Sequence, residues 1–448
     1  MVFDLFNYGF EKGKTVNQKQ TSSGLFPMGP VENLLREVYA KFDGDSATGI
    51  VLRVRGHIHQ DIMQKVLLLL QQRHPKLRCG FACNSSGIHC FKVFDSYLPI
   101  PLIVQNAPTN DFRWQNATQS VLYPPMDVEK GPLLRLKILR YPNNEICDLL
   151  MGFHHSILDG VSVFRFVREL FSTYETIVNN KSLPLNIPQL PMITGQPLPV
   201  TAPIASRMRI ILSLASSFLR RRTGRWTKLP VSSEPYAPLL TRYIFGEKET
   251  DSLLKQCRKH RISLTGAMFA SGVIGLKKLL TQNGIKFACR FPIDLRRAGQ
   301  YNVDSGDLFC LASSFMKVYP IQPEINFFDL ARQSRTDLKK FINDQGPIMA
   351  ANLSRFLKIK SGRRPRLRDT LSIDNLGIFN VQPQYGNLRI EEFSVFSWRR
   401  WLGVSLLVVF STLHGRLNIT FDGADLPQDF FSNFQDQFLF TLKHELQI

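Results

Sequence analysis

Cys147-Asp-Leu-Leu-Met-Gly-Phe-His154-His155-Ser-Ile-Leu-Asp159-Gly160 runs from an apolar strand into two adjacent histidines, and four residues later reaches an acid and a glycine. A helical pattern follows from Val163 to Val178, with Val163, Phe166, Val167, Leu170 and Tyr174 on one face. A strand end thus hands polar groups to a turn held between two rigid elements, where catalytic side chains tend to sit. Each residue also has a plain structural reading. His154 reads as a packed core histidine, and His155 taken alone could be another. Asp159 suits a helix N-cap, and Gly160 a tight turn. A metal site built from His154, His155 and Asp159 meets a geometric obstacle. Neighbours in an extended chain point to opposite faces, so adjacent histidines do not easily share one ion.

Outward from this segment the chain alternates strands and helices. Upstream, Pro30 to Phe42 and Ile58 to Gln72 read as helices, the second stopped by His74-Pro75. Ile50 to Val54 reads as a strand, and Leu133 to Leu139 is joined to the Cys147 strand through the turn-rich Tyr141-Pro-Asn-Asn-Glu. Downstream, Lys181 to Pro238 is rich in Pro, Ser and Arg and contains one helical candidate, Ala205 to Arg222. The second half adds strands at Thr241 to Phe245 and Phe287 to Pro292, and a hairpin of Val404 to Phe410 with Arg416 to Phe421 across His414-Gly415. Its helices are Glu249 to His260, Thr265 to Leu280, Phe327 to Asp344 and Gln428 to Leu446. Interleaved elements in both halves give the class α/β (α+β) with mixed sheets. The expected organisation is a mobile segment 1–20, an N-terminal lobe 21–185 carrying the histidines, a basic linker 186–238 and a C-terminal lobe 239–448. A chain of 448 residues exceeds what one core usually serves.

Composition narrows the class. Hydrophobic residues at 44% and charged residues at 21% are those of a globular protein. No cleavage-type apolar stretch stands out near Met1, and the strongly apolar run Trp401 to Phe410 is too short to span a bilayer. The seven cysteines are odd in number and irregularly spread, which fits free thiols in a reducing compartment. A cytoplasmic monomer is expected. Cys79, Cys83 and Cys90 with His89 match no common zinc spacing and read as strand-turn-strand around Asn84 to Gly87, so no metal is expected.

The formal charge of +20 favours anionic partners. No acid lies between Glu175 and Glu234, a stretch that holds Arg207, Arg209, Arg220, Arg221, Arg222, Arg225 and Lys228. A second stretch between Asp344 and Asp369 holds Arg355, Lys358, Lys360, Arg363, Arg364, Arg366 and Arg368. Either can be a solvated loop. A basic amphipathic helix can also lie on an anionic membrane, so peripheral membrane contact stays open. No recognition module accompanies the charge, so nucleic acid is not expected.

The order H-H-x-x-x-D-G at a strand end resembles the signature of the acyltransferase superfamily that includes chloramphenicol acetyltransferase. Condensation domains of nonribosomal peptide synthetases, plant acyltransferases, alcohol acetyltransferases and mycobacterial polyketide-associated acyltransferases share it. His74-Pro-Lys-Leu-Arg78, Tyr123-Pro-Pro-Met-Asp127 with Gly131-Pro-Leu-Leu-Arg135, Pro292-Ile-Asp-Leu-Arg296 and Leu371-Ser-Ile-Asp-Asn375-Leu-Gly377 look like further family motifs, in the family's order. The echoes cover about residues 25 to 445. The plant-type D-F-G-W-G is absent, which points away from that branch.

The resemblance implies two chloramphenicol-acetyltransferase-like lobes with a tunnel between them, an acyl thioester entering from one side and a nucleophile from the other. It makes His155 the catalytic base, Asp159 the holder of the loop through an arginine, with Arg296 as candidate partner, and Asn375 and Gly377 the floor of the tunnel. His154 and Gly160 complete the motif. The chemistry agrees without the family. An alcohol or amine attacking a thioester must lose a proton, and imidazole is suited to take it near neutral pH. No G-x-S-x-G elbow and no phosphate-binding G-x-x-x-x-G-K-[ST] loop is present, so the acyl group must arrive activated, with no cofactor beyond the phosphopantetheine or coenzyme A of the donor. A freestanding acyltransferase acting on a small molecule or lipid is the leading expectation. A noncatalytic docking module for carrier proteins and a basic membrane-binding protein are the others. The breadth of the basic stretches favours an acyl carrier protein over acyl-CoA, with Arg363, Arg364 and Arg366 as docking candidates.

Overall fold

The computed structural model describes residues 24–109, 113–142, 145–179, 188–197, 199–212, 229–232, 239–280, 285–296, 308–321, 324–357, 359, 369–397 and 404–448. The segment 1–20, most of the linker beyond residue 212, and Arg363, Arg364 and Arg366 lie outside the described residues.

The strand before the histidines is β7 (Ile146–His154), and it is buried along almost its whole length. It lies between β2 (Ala47–Arg55) and β6 (Leu134–Arg140) in a six-stranded mixed sheet. β5 (Leu102–Asn106) extends one edge and runs parallel to β6. Both faces of β7 are covered, which is why it reads as a continuous apolar run rather than an alternating one. On one face Leu149, Met151 and Phe153 pack with Val66 and Leu70 of α2 (Gln60–Arg73) and with Phe166 and Leu170 of α4 (Gly160–Val178). On the other, Leu150 meets Trp114 and Val121 of α3 (Trp114–Leu122). Gly152 is required there, because a Cβ on it would lie 2.0 Å from the Val121 carbonyl oxygen. Beside this lobe, β1 (Leu25–Pro27), β3 (Cys79–Cys83) and β4 (His89–Val93) form a small antiparallel sheet next to α1 (Pro30–Lys41).

The second six-stranded sheet takes the order β10-β9-β11-β14-β15-β8. Its strands are β8 (Leu239–Ile244), β9 (Ile285–Asp294), β10 (Ala312–Ile321), β11 (Asp369–Ile378), β14 (Val404–Leu413) and β15 (Arg416–Gly423). β11 runs parallel to both neighbours, so this sheet is mixed as well. Its core joins strand residues such as Phe291, Ile373, Val408 and Phe421 to a helical layer. That layer contains α5 (residues 204–212), α6 (Glu247–Lys259), α7 (Leu264–Leu279), α8 (Phe327–Asn343) and α10 (Gln428–Leu446). The short α9 (Gly346–Leu353) follows α8.

Residues 384–397, in the part of the chain expected to form the second lobe, return to the first sheet. β12 (Gln384–Tyr385) and β13 (Leu388–Ser397) extend it beyond β2. Without them β2 would present an open strand edge, which proteins cover where they can. β13 also fastens the lobes together. Its Glu392 pairs with Arg242 of β8, and the amide and hydroxyl of Ser397 donate to Asp422 of β15 at 3.1 and 3.2 Å. Two mixed-sheet lobes joined by an exchanged strand put the end of β7 against the second half of the chain.

Candidate active site at the lobe junction

His154 is the last residue of β7 and is fully buried. Its ring lies 4.4 Å from that of Tyr39 and 4.9 Å, edge-on, from that of Phe81. The Ser156 amide donates to its Nδ1 at 3.1 Å, so this nitrogen carries no hydrogen. Burial, with the nearby charges of His155, Arg36 and Lys76, pushes the imidazole down to about 3, and the ring stays neutral.

His155 stands one residue past the strand and is only partly buried. Its Nδ1 lies 3.0 Å from the carbonyl oxygen of Leu158. A carbonyl only accepts, so Nδ1 must carry the hydrogen and donate it. The neutral ring then has its lone pair on Nε2, and no hydrogen bond among the described residues occupies that atom. The turn that follows therefore fixes the tautomer and aims an unprotonated nitrogen away from the backbone.

Asp159 caps α4, its Oδ1 accepting from the Ser162 amide at 2.9 Å. Its Oδ2 reaches across the lobes and accepts from Arg296 Nη1 at 2.8 Å and from the Leu311 amide at 2.7 Å. Burial would raise this carboxyl, but the Arg296 guanidinium and the hydrogen bonds outweigh it and hold the group below the ordinary carboxylate value. Arg296 donates in addition to Asp294 at 2.9 Å and to the Ser162 hydroxyl at 2.9 Å, and it lies over the Phe309 ring. The structure thus brings together Asp159 and Arg296, which are 137 positions apart in sequence.

Gly160 faces the second lobe directly, since a Cβ on it would lie 2.6 Å from Leu376 Cδ2. Leu376 sits between Asn375 and Gly377 at a bulge in β11. Gly377 has φ +82°, a backbone that side-chain-bearing residues rarely adopt. The Asn375 side chain accepts from the Gly377 amide at 2.9 Å and donates to Thr265 Oγ1 at 3.1 Å. Asp159 with Arg296, and Gly160 with Leu376, therefore meet across the lobes; Asn375 and Gly377 flank Leu376, and His155 stands four residues before Asp159.

Sequence reasoning missed several groups here. Ser162 and the Leu311 amide bind Asp159, and Tyr39 and Phe81 enclose His154. Asp374 was also passed over. It follows the core residue Ile373 and, by strand alternation, turns to the opposite face. Burial and then the charge of Asp159 push its carboxyl up to about 7. The strand carries little signal for it, since Asp374 stands among other polar residues, Ser372 and Asn375.

The chemistry open to this site is proton transfer at His155 Nε2. Nucleophilic side chains near the histidines are poorly placed. Ser156 Oγ bonds His154 Nδ1 at 2.8 Å but both residues are fully buried, out of reach of a substrate, and burial pushes the Cys310 thiol far up, away from the thiolate form. Among the described residues no three His, Cys, Asp or Glu side chains converge as metal ligands, and Cys83 lies beside His89 alone at 3.1 Å.

Two family models match consecutive parts of the chain: the Condensation domain over residues 45–190, and the Phthiocerol/phthiodiolone dimycocerosyl transferase C-terminus over residues 234–422. The chondramide synthase cmdD of Chondromyces crocatus is 29% identical over 171 residues, 36% of this chain and 4% of the synthase. The phthiocerol/phthiodiolone dimycocerosyl transferase of Mycobacterium leprae (strain TN) is 26% identical over 269 residues, 58% of this chain and 60% of the transferase. The chain thus matches a small fraction of the synthase and a little under two thirds of the transferase. In structure, it is similar to the epimerization domain from the third module of tyrocidine synthetase B, with a TM-score of 0.71 at 13% identity, covering 97% of this chain and 98% of that domain. Two lobes of mixed sheet, with the histidine loop clasped between them, give the chain the chloramphenicol-acetyltransferase-like fold of the superfamily shared by peptide-synthetase condensation domains and acyltransferases.

Proposed function

We propose that the protein is an acyltransferase that moves an acyl group from a thioester to a hydroxyl or amine acceptor, with His155 as general base. The observation that carries this reading is the hydrogen bond from His155 Nδ1 to the Leu158 carbonyl, which leaves Nε2 as an acceptor at the lobe junction. In the proposed step, Nε2 takes the proton of the acceptor O–H or N–H as its oxygen or nitrogen attacks the thioester carbonyl. The tetrahedral intermediate collapses with cleavage of the C–S bond. The thiolate leaves and regains the proton from the imidazolium, so base and charge balance over one turnover. Asp159 and Arg296 are positioning residues that hold the loop, and His154 packs beneath it.

The donor would be an acyl group on the phosphopantetheine of a carrier protein or on coenzyme A, and the acceptor a small molecule or lipid. The positive charge of the chain supports either donor, since both are anionic. The Leu158-locked tautomer speaks against a purely noncatalytic docking role, which has no use for a free Nε2. The test is an intact-mass screen in which one set of acyl groups is offered both on carrier proteins and on coenzyme A to a panel of alcohols and amines. Enzyme-dependent growth of an acceptor by the mass of the acyl group is expected. No transfer from either donor class, with a folded protein, would overturn the reading.

A further inference from the structure

The most concentrated charge outside the histidine site lies on the second lobe. α8 carries Arg332, Arg335, Lys339 and Lys340, a spacing that places them on one helix face. Arg209 of α5 and Arg261, held at φ +57° in the turn between α6 and α7, face them across a concavity of about 600 Å³. Asp344 is the acid in its wall, and Arg209 occupies it at 3.2 Å. Arg332 pairs with Asp329 at 2.7 Å, and Arg335 donates to the Arg261 carbonyl at 2.9 Å. The ammonium groups of Lys339 and Lys340 have no hydrogen bond or ion pair among the described residues. Like charges three and four residues apart weaken a helix. The helix C-terminus offsets this near Lys340 but not near Arg332. The fold therefore gains little from this convergence of cations, while an anionic partner would gain from it.

A second, separate feature borders the concavity. α5 turns Ile210 into the core, yet exposes Ile204 at 66%, Met208 at 40% and Leu212 at 62%. At 100° per residue these three fall within an arc of about 80°, and Arg209 follows about 60° further round, on the side of the concavity. Three large apolar side chains aligned on one arc are unlike the single exposed apolar residues scattered over most surfaces.

We infer that this face binds the surface of an anionic lipid bilayer. The Ile204-Met208-Leu212 stripe enters the boundary between headgroups and acyl chains, and the cations of the concavity take lipid phosphates. An acidic protein would also meet the cations. Protein partners, however, seat their apolar anchors in pockets, whereas this stripe is an exposed ridge, and a bilayer accepts a ridge without shape complementarity. No single described helix is long and apolar enough to cross a membrane. This inference stands apart from the acyl-transfer chemistry.

The experiment is co-sedimentation of the full chain with vesicles of phosphatidylglycerol and phosphatidylcholine, against vesicles of phosphatidylcholine alone. Binding is expected to the anionic vesicles only, and it should weaken by at least about tenfold between 0.1 M and 1 M salt as the Debye length shrinks from about 10 to about 3 Å. Each lysine near such a surface is worth about fivefold in partitioning, so Lys339→Glu/Lys340→Glu should lose at least about 25-fold. Ile204→Ser/Met208→Ser/Leu212→Ser should lose about tenfold or more. Melting temperatures report that both variants fold, and the single substitutions Lys340→Glu and Leu212→Ser repeat the test if a multiple variant does not. The inference fails if anionic vesicles do not bind. It fails equally if the folded variants bind as well as the wild type, or if an acidic carrier protein rather than lipid is lost with the charge reversals while the stripe has no effect.

Discussion

Two buried carboxylate–arginine pairs lie on either side of the histidines, and they do different work. Asp148, near the start of β7, accepts from Arg53 Nε and Nη2 at 2.9 Å each and from the Tyr141 hydroxyl. Its partner is the residue directly across the ladder on β2, so the pair joins two neighbouring strands of one sheet. At about 3.3 Å per residue it stands about 20 Å from the histidine end of the strand. Asp159, just past the strand, joins a helix cap, the end of β9 and the start of β10, and so ties the first lobe to the second. The local chemistry is nearly the same. The difference is in what each pair connects, and a buried ion pair marks a functional region only when it holds functional groups in place.

Replacing the two acids by their amides separates these roles. Asp159→Asn gives the larger expected effect of the two. Its NH₂ group would face either Arg296 and the Leu311 amide or the Ser162 amide, donor against donor. Arg296 keeps Asp294, which places the cost near the low end for a broken buried pair, about 3 kcal/mol. Freed from Asp159, the His155 loop loses its anchor, and kcat should fall at least about tenfold in protein that is still folded. Asp148→Asn should cost about as much stability, because Arg53 is left with Glu392 at 3.7 Å. Its kcat per folded molecule should stay within about twofold. Denaturant titration gives the stabilities, and turnover at matched folded fraction gives the rest. Equal kcat losses in the two variants would erase the distinction.

A third acid sharpens the contrast with a smaller effect. Asp374 pairs with no arginine among the described residues, and burial and then the charge of Asp159 push its carboxyl up to about 7. Its native form therefore holds a proton that the unfolded chain has already released above about pH 4. The stability it contributes is complete below that pH and is lost as the pH rises through about 7. Asp374→Asn removes this dependence. The variant should gain on the wild type by about 1–2 kcal/mol between pH 5 and pH 8, less than the full shift because the site is partly open to solvent. Parallel melting curves for the two proteins across that range would show that Asp374 is ionised in the native state.

Much of this was legible in the chain and some was not, for physical reasons. The strand, the histidines and the cap are local: an apolar run, an acid at the right offset and a helical stripe write themselves into about thirty residues, and the helices from Gln60 to Arg73 and from Gly160 to Val178 follow from the same periodicity. β5 escaped notice because its residues, Leu-Ile-Val-Gln-Asn, lie at a sheet edge where alternation is weak. β10 contains Pro320, which argues against a strand unless the strand is at an edge, as this one is. The return of β13 to the first sheet leaves no local mark at all, since pairing at long range is settled by which strand edge is open. The pairing of Asp159 with Arg296 was accessible only through the family resemblance, and the Leu311 amide as its second partner was not accessible, because a backbone donor has no sequence signature. The exposed stripe of α5 shows the same limit. Its apolar spacing is plain in the sequence, but the side that stays out of the core appears only once the helix is docked.

The central claim is that His155 Nε2 takes the proton, and the rate of acyl transfer by His155→Ala tests it most directly. With melting behaviour like that of the wild type, the variant should lose about 10²–10⁴-fold in kcat, the range for removal of a general base, and added imidazole should restore part of the loss. His155→Ala protein that is folded and turns over at close to the wild-type rate would contradict the account.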